Sequence, residues 1–202
     1  NERIGIKLVI ADTVYNEKDI FLRRVEIHNL EDRDREVRFY FGQEFHISES
    51  SWGDTGYYDP QHKAIIHYKG KRVFLANAVS NKRGFDDFSI GLFEIDGKEG
   101  AYLDATDGKL SQNPIEHGSV DSVIGHTIKL RSVKTKLPEV IWYWLLVGET
   151  LPEVVDLQVY ILEKTPEHLM RTTSDYWRAW VHKRPFTFYG LSDQVIALFK
   201  IS

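Results

Sequence analysis

The chain has 202 residues, 42% hydrophobic and 28% charged, with a net charge of -4. That is enough for one substantial core, or a large domain with a small appendage, and the mild acidity gives no electrostatic basis for binding nucleic acid or an anionic membrane. There is no cysteine, which removes disulfides, thiolate chemistry and cysteine-ligated metal sites, and no apolar run is long enough to span a bilayer as a helix.

The first elements alternate as strands do. Ile4, Ile6, Leu8 and Ile10 share one face, and Phe21, Arg23, Val25 and Ile27 share another. A polar turn at 29–34 leads to Val37, Phe39 and Phe41, again alternating. Short links between three such strands predict an antiparallel meander. The stretch SWGDTGYYDP, residues 51–60, comes next. Its two glycines and its proline predict a loop, yet it carries Trp52, Tyr57 and Tyr58 beside Asp54 and Asp59. A loop with that much ring surface either packs onto its own domain or meets something else.

Residues 64–68 and 71–78 predict a hairpin, with Gly70 supplying a positive φ. Further strands are expected at 88–95, 122–130 and 140–147. The last is apolar on both faces through Ile141, Trp142, Tyr143 and Trp144, so one face should meet a second layer. The period then changes. Thr150 with Glu153 resembles a capping box, and Pro152 fits a first helical turn. Thr165 and Pro166 repeat the start signal, and the helix that follows, expected to end at Pro185, carries Tyr176, Trp177 and Trp180. Phe186 and Phe188 form an extended link. Ser192 then caps a short apolar helix bearing Val195, Ile196 and Phe199. A helix that short needs a partner surface.

Chemical motifs are sparse. The eight histidines show no metal-ligand spacing, so no metal or cofactor is expected. No nucleophile elbow or phosphate loop occurs. DATDGKLSQN, residues 104–113, lacks a full calcium ligand set and reads as an Asx-type turn. Asp54 and Asp59 beside tyrosines leave two readings open: a structural loop, or rings and acids that receive a sugar.

The stretch SWGDTGYYDPQHKAIIHYKGKRVFL, residues 51–75, resembles the N-terminal region of prokaryotic glucoamylase-like enzymes of glycoside hydrolase family 15, a group with glucodextranases and trehalases. Residues 104–130, YWLLVGET at 143–150 and SDYWRAW at 174–180 resemble it in the same order. The resemblance implies a mainly β fold: an antiparallel sandwich, called a supersandwich and galactose mutarotase-like, with C-terminal linker helices leading to an (α/α)6 barrel. That barrel holds the two catalytic glutamates, and no residue of this chain matches them, so no catalytic residue is expected here. The chain then reads as a piece of a larger assembly, cut or split before its barrel.

The resulting expectation is a sandwich domain over residues 1–148 and a helical linker with the start of a barrel over 149–202. Its role would be non-catalytic, supporting a barrel held in cis or supplied in trans, in a cytoplasmic setting. Trp52, Asp54, Tyr57, Tyr58 and Asp59 would touch barrel or sugar. Tyr176, Trp177, Trp180, Phe186, Phe188, Val195, Ile196 and Phe199 would form the interface, or drive homo-oligomers when the barrel is absent. The alternatives are a carbohydrate-binding module for α-glucan or trehalose using 52–59, and a mutarotase-like sugar enzyme.

Overall fold

The structure, a computed structural model, describes residues 2–50, 52–95, 97–135, 137–181 and 190–201. Phe186 and Phe188 lie outside the described residues, as do Pro185 and the side chain of Phe199. The strands are β1 (Ile6–Val14), β2 (Ile20–Asn29), β3 (Arg35–Glu44), β4 (Asp54–Asp59), β5 (Ala64–Lys69), β6 (Arg72–Ser80), β7 (Arg83–Gly84), β8 (Asp87–Leu92), β9 (Ile115–Gly118), β10 (Val120–Leu130) and β11 (Glu139–Gly148). The α-helices are α1 (Gly100–Asp104), α2 (Leu151–Lys164), α3 (Pro166–Val181) and α4 (Asp193–Ile201).

The strands form two antiparallel sheets. An eight-stranded sheet runs β1-β2-β11-β6-β5-β4-β9, with β7 on β6, and a three-stranded sheet runs β3-β10-β8. The smaller sheet packs on one face of the larger. Val25, Ile27, Ile65, Ile90, Ile124 and Ile141 are all essentially inaccessible in that layer. Each such side chain contributes roughly 1.5–3 kcal/mol of burial free energy. The opposite face of the large sheet meets α2 and α3. Leu22, Ile66, Leu75 and Trp144 pack there with Val154 and Ile161 of α2 and Leu169 of α3.

This three-layer arrangement explains β11. Ile141 and Tyr143 enter the sandwich, whereas Trp144 and Leu146 enter the helix layer. The two-sided apolar pattern of the sequence is thus the mark of a strand covered twice.

The meander expectation holds only for β1 and β2, which pair from Ile6↔Asn29 to Val14↔Phe21. β3 leaves for the other sheet, where all ten of its residues pair with β10. The free edge of β2 goes to β11 instead, which brings Ile141 beside Val25 in the core.

A second correction concerns residues 51–60. The expected loop is strand β4, bonded to both β5 and β9. Gly53 turns the chain at φ +79 and leaves β4 to begin at Asp54. Gly56 sits mid-strand because the small sheet approaches so closely. A Cβ there would lie 2.7 Å from Val120 Cγ1 and 3.1 Å from both His67 Cε1 and Ile90 Cγ2. The glycine is a close-contact residue, not a breaker.

The helix starts follow their capping residues. Thr150 Oγ1 accepts from Glu153 N at 3.4 Å, and Glu153 Oε2 accepts in return from Glu149 N at 2.8 Å. Thr165 Oγ1 accepts from His168 N at 3.3 Å, and Ser192 Oγ from Val195 N at 3.4 Å. Each satisfies a donor that the first helical turn leaves open.

Candidate functional site

β4 distributes the residues expected to form one contact loop. Alternation sends Asp54, Gly56 and Tyr58 into the sandwich, and Thr55, Tyr57 and Asp59 toward the helix side. Tyr58 stacks on Phe88 at a ring separation of 4.2 Å. Tyr57 instead meets Tyr68 edge-on at 6.2 Å. Trp52, ahead of the strand, is 68% exposed.

The two aspartates serve separate structural tasks. Asp54 is buried, 3.2 Å from Lys69 Nζ, and accepts from Ile47 N at 3.4 Å. Asp59 closes the β4–β5 turn, accepting from Gln61 N at 2.9 Å and from His62 Nδ1 at 2.6 Å. Burial pushes the Asp59 carboxyl up, but its bonds from His62 and the turn backbone outweigh that and hold it below the usual range. Because they point to opposite faces of one strand, Asp54 and Asp59 cannot flank a common glycosidic bond as an acid pair must.

A cleft of about 500 Å³ opens on the helix side of the same strands. Tyr57, Thr55, Tyr68 and Ile115 supply its floor, and Glu149, Thr150 and Leu151 at the start of α2 supply one wall. Burial raises the Tyr57 phenol, and the Asp59 carboxylate adds to the effect. Thr55 Oγ1 lies 2.8 Å from His117 Nδ1 on β9. Tyr68, Ile115 and Glu149 were not singled out by the sequence. Strand register, Thr55↔Tyr68 and Tyr57↔Ile115, together with the start of α2 beside Glu149, brings them together.

The second surface is on α3. Leu169 and Thr173 face the sheet, with Thr173 Oγ1 3.3 Å from Asn16 Oδ1 beside β1. Further along, Tyr176, Trp177 and Trp180 form a chain of edge-to-face rings, with centroids 5.3 and 5.8 Å apart. They are 47, 49 and 61% exposed, so the structure brings three of the expected interface residues into one ridge that the other described residues leave about half exposed. Val195 is exposed and Ile196 half-buried on α4.

Inside the sandwich is a polar chain that the sequence did not announce. Ser122 Oγ donates to Gln43 Oε1 at 2.8 Å, so the 2.7 Å contact from His67 Nε2 is a donation to Ser122. Nδ1 of His67 then carries the lone pair, and it is buried without a partner among the described residues. Burial depresses the His67 pKa to about 4. Ser122 is wholly inaccessible, so this pair has no route to a substrate. His67 meets a hydroxyl and an amide in a closed layer. Among the described residues, no three His, Asp or Glu side chains are placed to hold a metal ion, and no helix is long and apolar enough to cross a membrane.

No family model matches the chain. An uncharacterised glycosyl hydrolase of Methanocaldococcus jannaschii is 25% identical to it over 174 residues, which are 86% of this chain and 27% of that protein. Among solved structures, a bacterial glucoamylase complexed with acarbose superposes with a TM-score of 0.69 at 11% identity, over 90% of this chain and 26% of the glucoamylase. The chain spans about a quarter of the length of either relative. Its antiparallel sandwich with C-terminal helices is a fold shared with part of a glucoamylase, and its sequence is similar to part of a glycosyl hydrolase.

Proposed function

We propose that the chain is the non-catalytic sandwich domain of a glucoamylase-like α-glucoside hydrolase of family 15, and that it supports an (α/α)6 catalytic barrel docked against α3. The observation that carries this reading is the ridge of Tyr176, Trp177 and Trp180. It stands about half exposed on the last two turns of a helix whose earlier turns are locked to the sheet on the same side through Leu169 and Thr173, so the rings continue that face beyond the residues that bury it. Large aromatic surface in that setting marks an interface. The opposed directions of Asp54 and Asp59 support a role without hydrolytic acids of its own. The share of glucoamylase length that the fold accounts for leaves room for a catalytic part elsewhere. In this reading residues 149–202 lead from the sandwich to the barrel, which is held in cis in the parent protein or supplied in trans.

The test is reconstitution. The chain is mixed with a separately expressed barrel from a glucoamylase-like protein, and complex formation and α-glucosidase activity are measured. A complex with raised activity is expected, weakened by Trp177→Ala and Trp180→Ala. A complex unaffected by either substitution, or no complex with any such barrel, sinks the reading.

A further inference from the structure

We propose that the cleft between β4, β5, β9 and the start of α2 binds a neutral pyranose ring of an oligosaccharide, non-covalently. The strand register builds its floor. Thr55, Tyr57, Tyr68 and Ile115 stand on one face of three adjacent strands. α2 begins at Leu151 and covers Ile66 and Val73, but it leaves Tyr68 40% and Ile115 56% exposed. The result is a concave, partly apolar site at a place where the same sheet is elsewhere closed.

The chemistry of the lining selects the ligand. Tyr57 and Tyr68 meet edge-on at 6.2 Å, so they offer ring face and ring edge at an angle instead of one flat platform. A pyranose has matching parts: a C–H face that packs on an aromatic ring, and a rim of hydroxyls. The hydroxyls of Tyr57 and Tyr68 and the carboxylate of Glu149 make no hydrogen bond among the described residues, which leaves donors and acceptors for that rim. The Thr55–His117 pair adds a further polar group at the floor. The lining contains one acid and no lysine or arginine, which disfavours a phosphate, a sulfate or a uronic acid. Its volume, about 500 Å³, falls in the ordinary range of small-ligand sites.

The site is separate from the docking surface. α3 lies over the β1 end of the large sheet, reaching Asn16 through Thr173, whereas the cleft occupies the β4–β9 end. The inference therefore goes beyond the docking reading, and either can fail alone: docking is read from a reconstituted complex, sugar binding from this chain by itself.

The full chain is titrated with maltotriose, with cellotriose and with glycerol, by calorimetry and by backbone amide shifts. Saturable binding of at least one trisaccharide is expected, with shifts centred on Thr55, Tyr57, Tyr68 and Glu149 and none from glycerol. Tyr68→Ala should weaken binding about tenfold, while Tyr68→Phe keeps the ring and most of the affinity. Tyr68 is a surface residue, and an unchanged thermal midpoint confirms that each variant folds. The proposal is overturned by the absence of saturable binding to both trisaccharides, by equal shifts from glycerol, by shifts centred outside the cleft, or by a folded Tyr68→Ala variant that binds as the parent does. Burial of the cleft by an added barrel, with no sugar bound by the free chain, would make it a protein contact and overturn the proposal too.

Discussion

β11 and α3 hold two of the densest aromatic runs in the chain, and the two runs end in opposite surroundings. Trp144 of β11 is wholly buried and its neighbour Tyr143 is 7% exposed; Trp177 and Trp180 of α3 are 49 and 61% exposed. The strand has a layer on each side. The helix has one, and its last two turns carry rings that the other described residues leave about half exposed. Aromatic density alone therefore does not distinguish core from contact surface. The distinction lies in how many layers the fold supplies to each element. In the proposed function, the rings of β11 hold the domain together and those of α3 meet a partner.

The comparison is broken most directly at Trp144. Its side chain fills the layer between the large sheet and α2, so Trp144→Ala should cost about 3–5 kcal/mol, read as a lower denaturation midpoint. A loss under about 1 kcal/mol would mean that the helix layer is loosely packed, and the contrast with α3 would lose its basis.

The other covered face is probed by acid. His67 has a folded-state pKa of about 4, below its ordinary value of 6.5. Between those values the unfolded chain binds a proton that the folded chain refuses. The His67 contribution is therefore complete above about pH 6.5, falls as the pH drops toward 4, and levels off below it, a loss of roughly 3 kcal/mol in all. His126, also lowered by burial, acts in the same direction. Denaturant titrations at several pH values check this, with His67→Gln as the control. The variant should lose a large part of the slope between pH 6.5 and 4. An unchanged slope would remove His67 as the cause.

Gly56→Ala tests the closeness of the two sheets. The added methyl would meet Val120 Cγ1 at 2.7 Å, and relief requires the sheets or the Val120 rotamer to shift. A cost of about 1–3 kcal/mol is expected in the same unfolding measurement. A neutral outcome would show that the sandwich interior yields more easily than its packing implies.

What the sequence made legible follows from the same physics. Caps are local, so Thr150, Thr165 and Ser192 could be read in place, as could Gly70 in the β5–β6 turn and the Asx turn at Asp107, whose carboxylate accepts from Lys109 N at 2.8 Å. The double cover of β11 was written in its own pattern. Gly56 was misread because its reason is not local: the atoms it avoids belong to Val120, His67 and Ile90 on other strands. The departure of β3 to the small sheet was hidden for the same cause, since its partner β10 lies about eighty residues further on. At the candidate sites, the aromatic ridge of α3 was visible as helical spacing. The cleft was not, because Tyr68, Ile115 and Glu149 are joined only by sheet register and by the entry of α2.

The smallest expected effect is the one that sharpens the comparison furthest. Trp177 is as large a side chain as Trp144, and a ranking by size alone would make its removal equally damaging. Its surroundings say otherwise. It touches Tyr176 and Trp180, both themselves exposed, and it closes no layer. Trp177→Ala should therefore leave the unfolding free energy within about 0.5 kcal/mol of the parent. Its consequence should appear in association: weaker docking of a catalytic barrel, and less self-association of the free chain by sedimentation, since the exposed ring is what makes contact there favourable. Stability and association thus separate at one residue. If Trp177→Ala instead unfolded the domain as Trp144→Ala does, the ridge would be part of the core, and the division of rings between holding the fold and meeting a partner would not stand.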